Sequence, residues 1–315
     1  MALPDGMTLR PAAVDDAEAV CALLNRVDEL EVGRAFTELH EVVDDLGHVS
    51  VDLERDSWLL HDGEGRLIGY GIVRDRSAGE RINLDQYLLP GHTAAGLHLF
   101  GLMEARGAEL ARRNGADRAV LHLVLNSRPT FDTVALGGRG WRKVRRHHVL
   151  TREVDPKADL FPEAPAGLRL RACSTEEDRR TVHRLLHETF AEHYDFQDRS
   201  YEKWCSDTGA ESADWSLVWI AELDGHGDVA VLRTRDERTD TAWASNIGVR
   251  SALRGRGLGG YLLRYFFAFY ADRGRTRVGL GVDTDNATGA PALYRNNGMV
   301  LDFAVDTWEL VVPVG

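Results

Sequence analysis

Residues 254–260 read Arg-Gly-Arg-Gly-Leu-Gly-Gly and bring together the groups that hold a pyrophosphate. Small residues let the backbone curl round the phosphates, and amides at the start of the helix that follows face them with favourable dipole sign. The guanidinium groups of Arg254 and Arg256 add charge and paired donors. Gly255, Gly257 and Gly260 also fit the G-x-G-x-x-G turn of dinucleotide-binding proteins, with Asp283 as the acid for a ribose. Two features oppose that second reading. The segment Ser251–Arg254 separates the preceding strand from the glycines, and too little chain follows Asp283 for further crossover units.

Other reactive side chains lie on either side of this loop. Downstream, Asn286 follows the strand Arg277–Asp283, and Tyr294 lies on a short helix that ends before Gly298. A phenol there can donate a proton, although a Tyr on an amphipathic helix also serves as packing. Upstream, the segment 183–204 carries His187, Glu188 and Asp195, each able to accept a proton. His183 and His187 are spaced i and i+4, but Arg184 stands where the zinc-peptidase pattern needs Glu, so no metal is expected.

The elements that must position these groups occur twice. Leu9–Leu24 and Leu170–Leu186 each read as a short strand, an acidic turn and an amphipathic helix, with Val20, Leu23, Leu24 and Val27 matched by Val182, Leu185 and Leu186. Hairpin signals follow at Asp62-Gly63 and Asp224-Gly225, then a strand and a long helix ending at Gly115 or Gly274. A further strand, a short helix and a last strand close each half. The order predicts a mixed α/β fold, a mostly antiparallel sheet flanked by helices, in two tandem domains of 1–155 and 167–315. The Pro- and acid-rich stretch 156–166 joins them as a linker.

Composition sets bounds on the rest. With 43% hydrophobic and 28% charged residues the chain builds real cores, and its net charge of −12 argues against a nucleic-acid surface. The basic segment 137–149 is accordingly expected to be a solvated edge strand. Three scattered cysteines form neither a disulfide framework nor a metal motif. The opening residues carry no secretory signature and no apolar run is long enough to span a bilayer, so a cytoplasmic protein without membrane partners is expected. It should be a monomer or weak homodimer.

The loop Val249–Gly259, with the segment Asp283–Met299 carrying Asn286 and Ala-Leu-Tyr before a Gly, resembles the GNAT superfamily of acyl-CoA-dependent N-acyltransferases. The resemblance covers the layout of the second half throughout. It implies acetyl-CoA as co-substrate and transfer of an acetyl group to a primary amine of a small molecule, by direct attack in a ternary complex. Ile247, Gly248 and Val249 would pair their backbone with the pantetheine arm and offer an N–H to the oxyanion. Arg254, Gly255, Arg256, Gly257, Leu258, Gly259 and Gly260 would take the pyrophosphate. Asn286 would contact the pantetheine, and Tyr294 would protonate the departing thiolate.

Family members often carry a carboxylate on the strand before the loop as general base, and Thr241–Val249 has none. Trp243 and Ser245 are expected to face the active site there, because alternate residues share a face. The base then falls to water or to Glu188, Asp195 or His187. The first half has no counterpart of the loop, and Leu136 stands at the place of Tyr294. A degenerate copy without the cofactor is expected. A silent acyl-CoA-binding protein and a protein-lysine acetyltransferase are the alternatives.

Overall fold

The computed structural model describes residues 2–48, 51–75, 78–194, 196–207, 213–236, 241–286 and 289–314. The chain begins with β1 (Thr8–Arg10), α1 (Ala17–Val32), α2 (Leu39–Leu46), α3 (Leu53–Asp56), β2 (Ser57–His61) and β3 (Leu67–Arg74). It continues through β4 (Arg81–Leu88), α4 (Thr93–Arg113), β5 (Arg118–Asn126), α5 (Thr133–Gly138) and β6 (Arg142–Glu153). The order then repeats as β7 (Leu168–Ala172), α6 (Glu176–Phe190), α7 (Tyr201–Asp207), β8 (Val218–Leu223) and β9 (Gly227–Arg235). Last come β10 (Thr241–Val249), α8 (Leu258–Asp272), β11 (Arg277–Asp283), α9 (Ala290–Asn296) and β12 (Val300–Pro313). The fold is mixed α/β. β4–β5 and β10–β11 run parallel, and β1–β2, β2–β3, β3–β4, β7–β8, β8–β9, β9–β10 and β5–β12 run antiparallel.

Two compact units result, one of Met1–His147 with Phe303–Gly315, the other of His148–Asp302. This division departs from the linear one expected from the repeats. Val305–Pro313 of β12 pairs antiparallel with Asn126–Arg118 of β5 and so completes the first unit's sheet. Trp308, Leu310 and Val312 pack on that unit's core. The second unit takes its final strand from the chain before it, where Leu150 and Val154 join its core and Arg277 Nη2 donates to Thr151 Oγ1 at 3.0 Å. A strand-like pattern fixes that a segment will pair, and tertiary packing decides with whom.

β6 is also not the edge strand that its basic residues suggested. It is an interior strand rather than the end of a sheet. Its charge is met by ion pairs. Arg146 binds both oxygens of Asp306 at 2.6 and 2.8 Å, and Lys143 Nζ lies 3.6 Å from the same carboxylate.

Each unit buries one helix on either side of its sheet. In the first, Leu99, Phe100 and Met103 of α4 cover one face, and Val20, Leu23 and Val27 of α1 cover Leu59, Tyr70 and Ile72 on the other. In the second, α8 sets Leu262, Leu263, Phe266 and Tyr270 against Ala242, Ala244 and Val278. The opposite face takes Val182, Leu185 and Leu186 of α6 against Ile220 and Val231. Each fully buried Leu or Phe contributes about 1.5–3 kcal/mol. α6 starts where the sequence places it. Thr175 Oγ1 accepts from Asp178 N and Asp178 Oδ2 from Thr175 N, both at 3.1 Å, a reciprocal cap that fixes the helix N-terminus.

Candidate active site

β10 and β11 make a parallel ladder only from Thr241↔Arg277 to Ala244↔Leu280. Beyond it β10 continues to Val249 along β9 alone, while β11 runs on to Asp283, so the two strands fork. Arg250 N donates to Val229 O at 3.0 Å, which turns Gly248 toward β9 and leaves the N–H and C=O of Ile247 and Val249 facing into the fork. A backbone edge of this kind pairs with an extended amide-bearing chain as a neighbouring strand would.

Ser245 is an extra residue in the β10 strand, since the register jumps from Ala244↔Thr234 to Asn246↔Arg233. The bulge moves every later side chain to the opposite face. Trp243 lies across Gly279, where an added Cβ would come within 2.7 Å of the indole. After the bulge it is Asn246 and Gly248 that face α6, in place of the expected Ser245. A Cβ on Gly248 would stand 2.3 Å from Thr189 Oγ1, so this glycine serves the seating of α6. Ile247 and Val249 pack toward α8.

At the open end of β10 the chain turns through Ser251–Leu253 and enters α8 from Gly257. Gly255 and Gly257 have φ of 78° and 82°, which L side chains rarely adopt, and nothing lies within 4 Å of where their Cβ would be. The loop therefore leaves open space over the α8 N-terminus, and Gly257 offers no side chain to cap its amides. These features fit a bound pyrophosphate. Arg256 is exposed at this loop. Arg254 is turned inward instead. Its Nε donates to Val249 O at 3.2 Å and Nη2 reaches Thr189 O at 3.5 Å, so it braces the loop against β10 and α6.

α9 closes the same end. A Cβ on Gly259 would stand 3.2 Å from Leu293, so the α8 N-terminus and α9 approach closely where glycine permits. The next residue, Tyr294, is 8% exposed, and burial pushes its phenol up to about 12. It is a protonated donor across the neutral range. Asn286 follows β11 in a turn where its N–H donates to Asp283 O at 3.2 Å.

On the α6 face a cavity of about 380 Å³ is lined by Phe190, His193, Tyr194, Phe196, Trp204 and Asn246, with Arg199 and Arg233 among its polar residues. The proposed proton acceptors divide around it. His187 lines the cavity, but its Nδ1 is 3.1 Å from Asp198 Oδ1, while burial and then His183 lower its pKa. Glu188 is paired with Arg250 at 3.0 Å beside the loop. Asp195 lies outside the described residues. Among the described residues no group of His, Cys, Asp and Glu is arranged to hold a metal, and no helix is long and apolar enough to cross a membrane. His193 was missed by sequence reasoning. It falls on an irregular stretch after α6, where no periodicity assigns it a face.

Residues 179–299 match the model of the acetyltransferase (GNAT) family. No curated protein matches the chain. Among solved structures, a GCN5-related N-acetyltransferase from Sphaerobacter thermophilus is 25% identical with a TM-score of 0.83, over 100% of this chain and 98% of that one. A tandem GNAT protein from the clavulanic acid biosynthesis pathway is 19% identical with a TM-score of 0.69, over 98% and 99%. Residues 179–299 thus form an acyl-CoA-dependent acetyltransferase domain of the GNAT type, within a chain whose fold is that of solved tandem GNAT structures.

Proposed function

We propose that the second unit moves an acetyl group from acetyl-CoA to a primary amine of a small molecule, by direct attack within a ternary complex. The observation that carries this reading is the fork between β10 and β11, open along Ile247 and the N–H of Val249 and ending at the glycine loop. Pantetheine would run along that edge, its pyrophosphate held by the amides from Gly255 to Gly260 with Arg256 beside them. The amine would enter from the cavity on the α6 face. An N–H of β10 would stabilise the oxyanion as the C–N bond forms, and Tyr294 would give its proton to sulfur as the C–S bond breaks.

The cysteines support direct attack over an acyl-enzyme. Burial pushes the Cys173 thiol up to about 11, so it carries little thiolate at neutral pH. Cys205, on α7, is engaged by Tyr201. Calorimetric titration with acetyl-CoA, followed by release of free thiol in the presence of primary amines, tests the reading. One site and amine-dependent release support it. Binding without turnover would leave a silent acyl-CoA-binding protein, and activity on peptides alone would make it a protein-lysine acetyltransferase.

A further inference from the structure

The geometry points to His193 as the group that takes the proton from the attacking amine, acting from the cavity on the α6 face. This assignment rests on the acetyl-transfer reading above and supplies the base that β10 lacks.

Three observations place His193 there. Its imidazole lines the cavity together with Asn246, the residue that the β10 bulge turns onto the same face. Asp283, at the carboxyl end of β11, and Arg254, in the glycine loop, both act on its charge. Its ring packs on Phe190 at 4.5 Å, and no described residue forms a hydrogen bond to it. The other two imidazoles of the region are committed. His183 Nε2 meets Arg199 O at 2.9 Å and His187 holds Asp198.

Burial sets the ring below the usual histidine range, with Asp283 and Glu192 opposing and Arg254 adding to the effect. His187, Arg199 and Arg233 face the same cavity. The ring is therefore neutral at pH 7, the form a base requires. In the step, the amine lone pair forms the C–N bond and the proton on nitrogen passes to the imidazole. The C–S bond then breaks, and coenzyme A leaves with a proton from Tyr294. His193 returns its proton to solvent and Tyr294 regains one, so an amine and a thioester become an amide and a thiol.

The test compares wild type with His193→Gln and His193→Ala, using 2-phenylethylamine, tyramine and tryptamine as acceptors suited to an aromatic-lined cavity. An ammonium of pKa about 10 alone makes kcat/KM rise about tenfold per pH unit. Below the His193 pKa a second protonation steepens this to about a hundredfold per unit in wild type. The expected result is that His193→Gln loses ~100-fold at pH 7, keeps only the tenfold slope, and binds acetyl-CoA as wild type does. Added imidazole should restore part of the rate to His193→Ala. Unchanged slopes and rates in both variants would overturn the assignment while leaving acetyl transfer standing. Wild-type protein that binds acetyl-CoA but acetylates no amine would instead overturn the acetyl-transfer reading, and the assignment with it.

Discussion

The two units build the same fork and fill it differently. In the first, β4 and β5 pair in parallel from Arg81↔Val120 to Leu84↔Leu123 and then separate, as β10 and β11 do in the second. The space that opens in the first unit is taken by its own side chains. Thr130 Oγ1 donates to Leu88 O at 2.9 Å, and Gln86 Nε2 donates to Gly96 O at 3.0 Å. Glu31 of α1 holds the returning chain through Thr130 N and Asn126 Nδ2, both at 2.6 Å. Phe131 then packs on Phe100 with ring centroids 4.9 Å apart. In the second unit the corresponding edge meets Arg254 at Val249 O. Both forks lie between parallel strands joined by a helix, β4–α4–β5 and β10–α8–β11. What the second unit adds is a glycine loop, with Gly255 and Gly257 at positive φ, that suits phosphate and has no counterpart in the first.

The largest effect is expected of Gly257→Glu. An L residue at φ 82° costs about 1–2 kcal/mol, and the new carboxylate would stand where the α8 N-terminus meets phosphate. Acetyl-CoA affinity is expected to fall at least ~100-fold, equivalent to about 3 kcal/mol, with a wild-type stoichiometry of one by calorimetry. Two sites in wild type would show that the first fork is live and erase the distinction. Glu31→Ala acts on the first unit instead. Losing a carboxylate that accepts from Thr130 and Asn126 should cost about 2–3 kcal/mol of stability, seen as a lower Tm. Acetyl-CoA stoichiometry should stay at one, because the glycine loop is still missing. A second site appearing in Glu31→Ala would mean that the plug alone separates the units.

What could be read from the sequence follows the range of the interactions involved. The Arg254–Gly260 loop, the hairpins at Asp62 and Asp224 and the glycines ending α4 and α8 are local, so residue type determines them. The fate of β12 is not local. Its apolar alternation suits any sheet edge, and only packing against Leu121 and Leu123 selects β5. The bulge at Ser245 inserts one residue without altering composition, yet it exchanges Ser245 for Asn246 on the face toward α6. Arg254 reads as a phosphate ligand by type, whereas its direction is set by carbonyls of Val249 and Thr189.

Tyr294→Phe tests the leaving-group half of the site. Removing the hydroxyl should lower kcat about tenfold, roughly 1.4 kcal/mol, because a thiolate already leaves moderately well near pH 7. Affinity for acetyl-CoA should hardly change. The sign of its pH dependence follows from burial. A phenol held near 12 stays a proton donor below that value, so its contribution is lost only as pH rises through about 12. An alkaline limb between pH 8 and 9 that vanished in Tyr294→Phe would mean that the phenol titrates in contact with solvent or cofactor, against its burial.

The smallest effect is expected at Glu188, one of the three residues that the sequence offers as a base, beside Asp195 and His187. Its side chain is 44% exposed and paired with Arg250. A pair so exposed contributes little once solvent screening is counted, about 0–1 kcal/mol. Its removal should shift Tm by no more than a few degrees. Were Glu188 the proton acceptor, Glu188→Gln would lower kcat/KM at pH 7 by ~100-fold or more and flatten the acidic side of the profile. The arrangement around Arg250 predicts less than a threefold change and an unaltered profile. The reason is that the ion pair holds the carboxylate to Arg250, on the flank where β10 ends. A large loss in Glu188→Gln, with His193→Gln fully active, would move the base from the cavity to this flank.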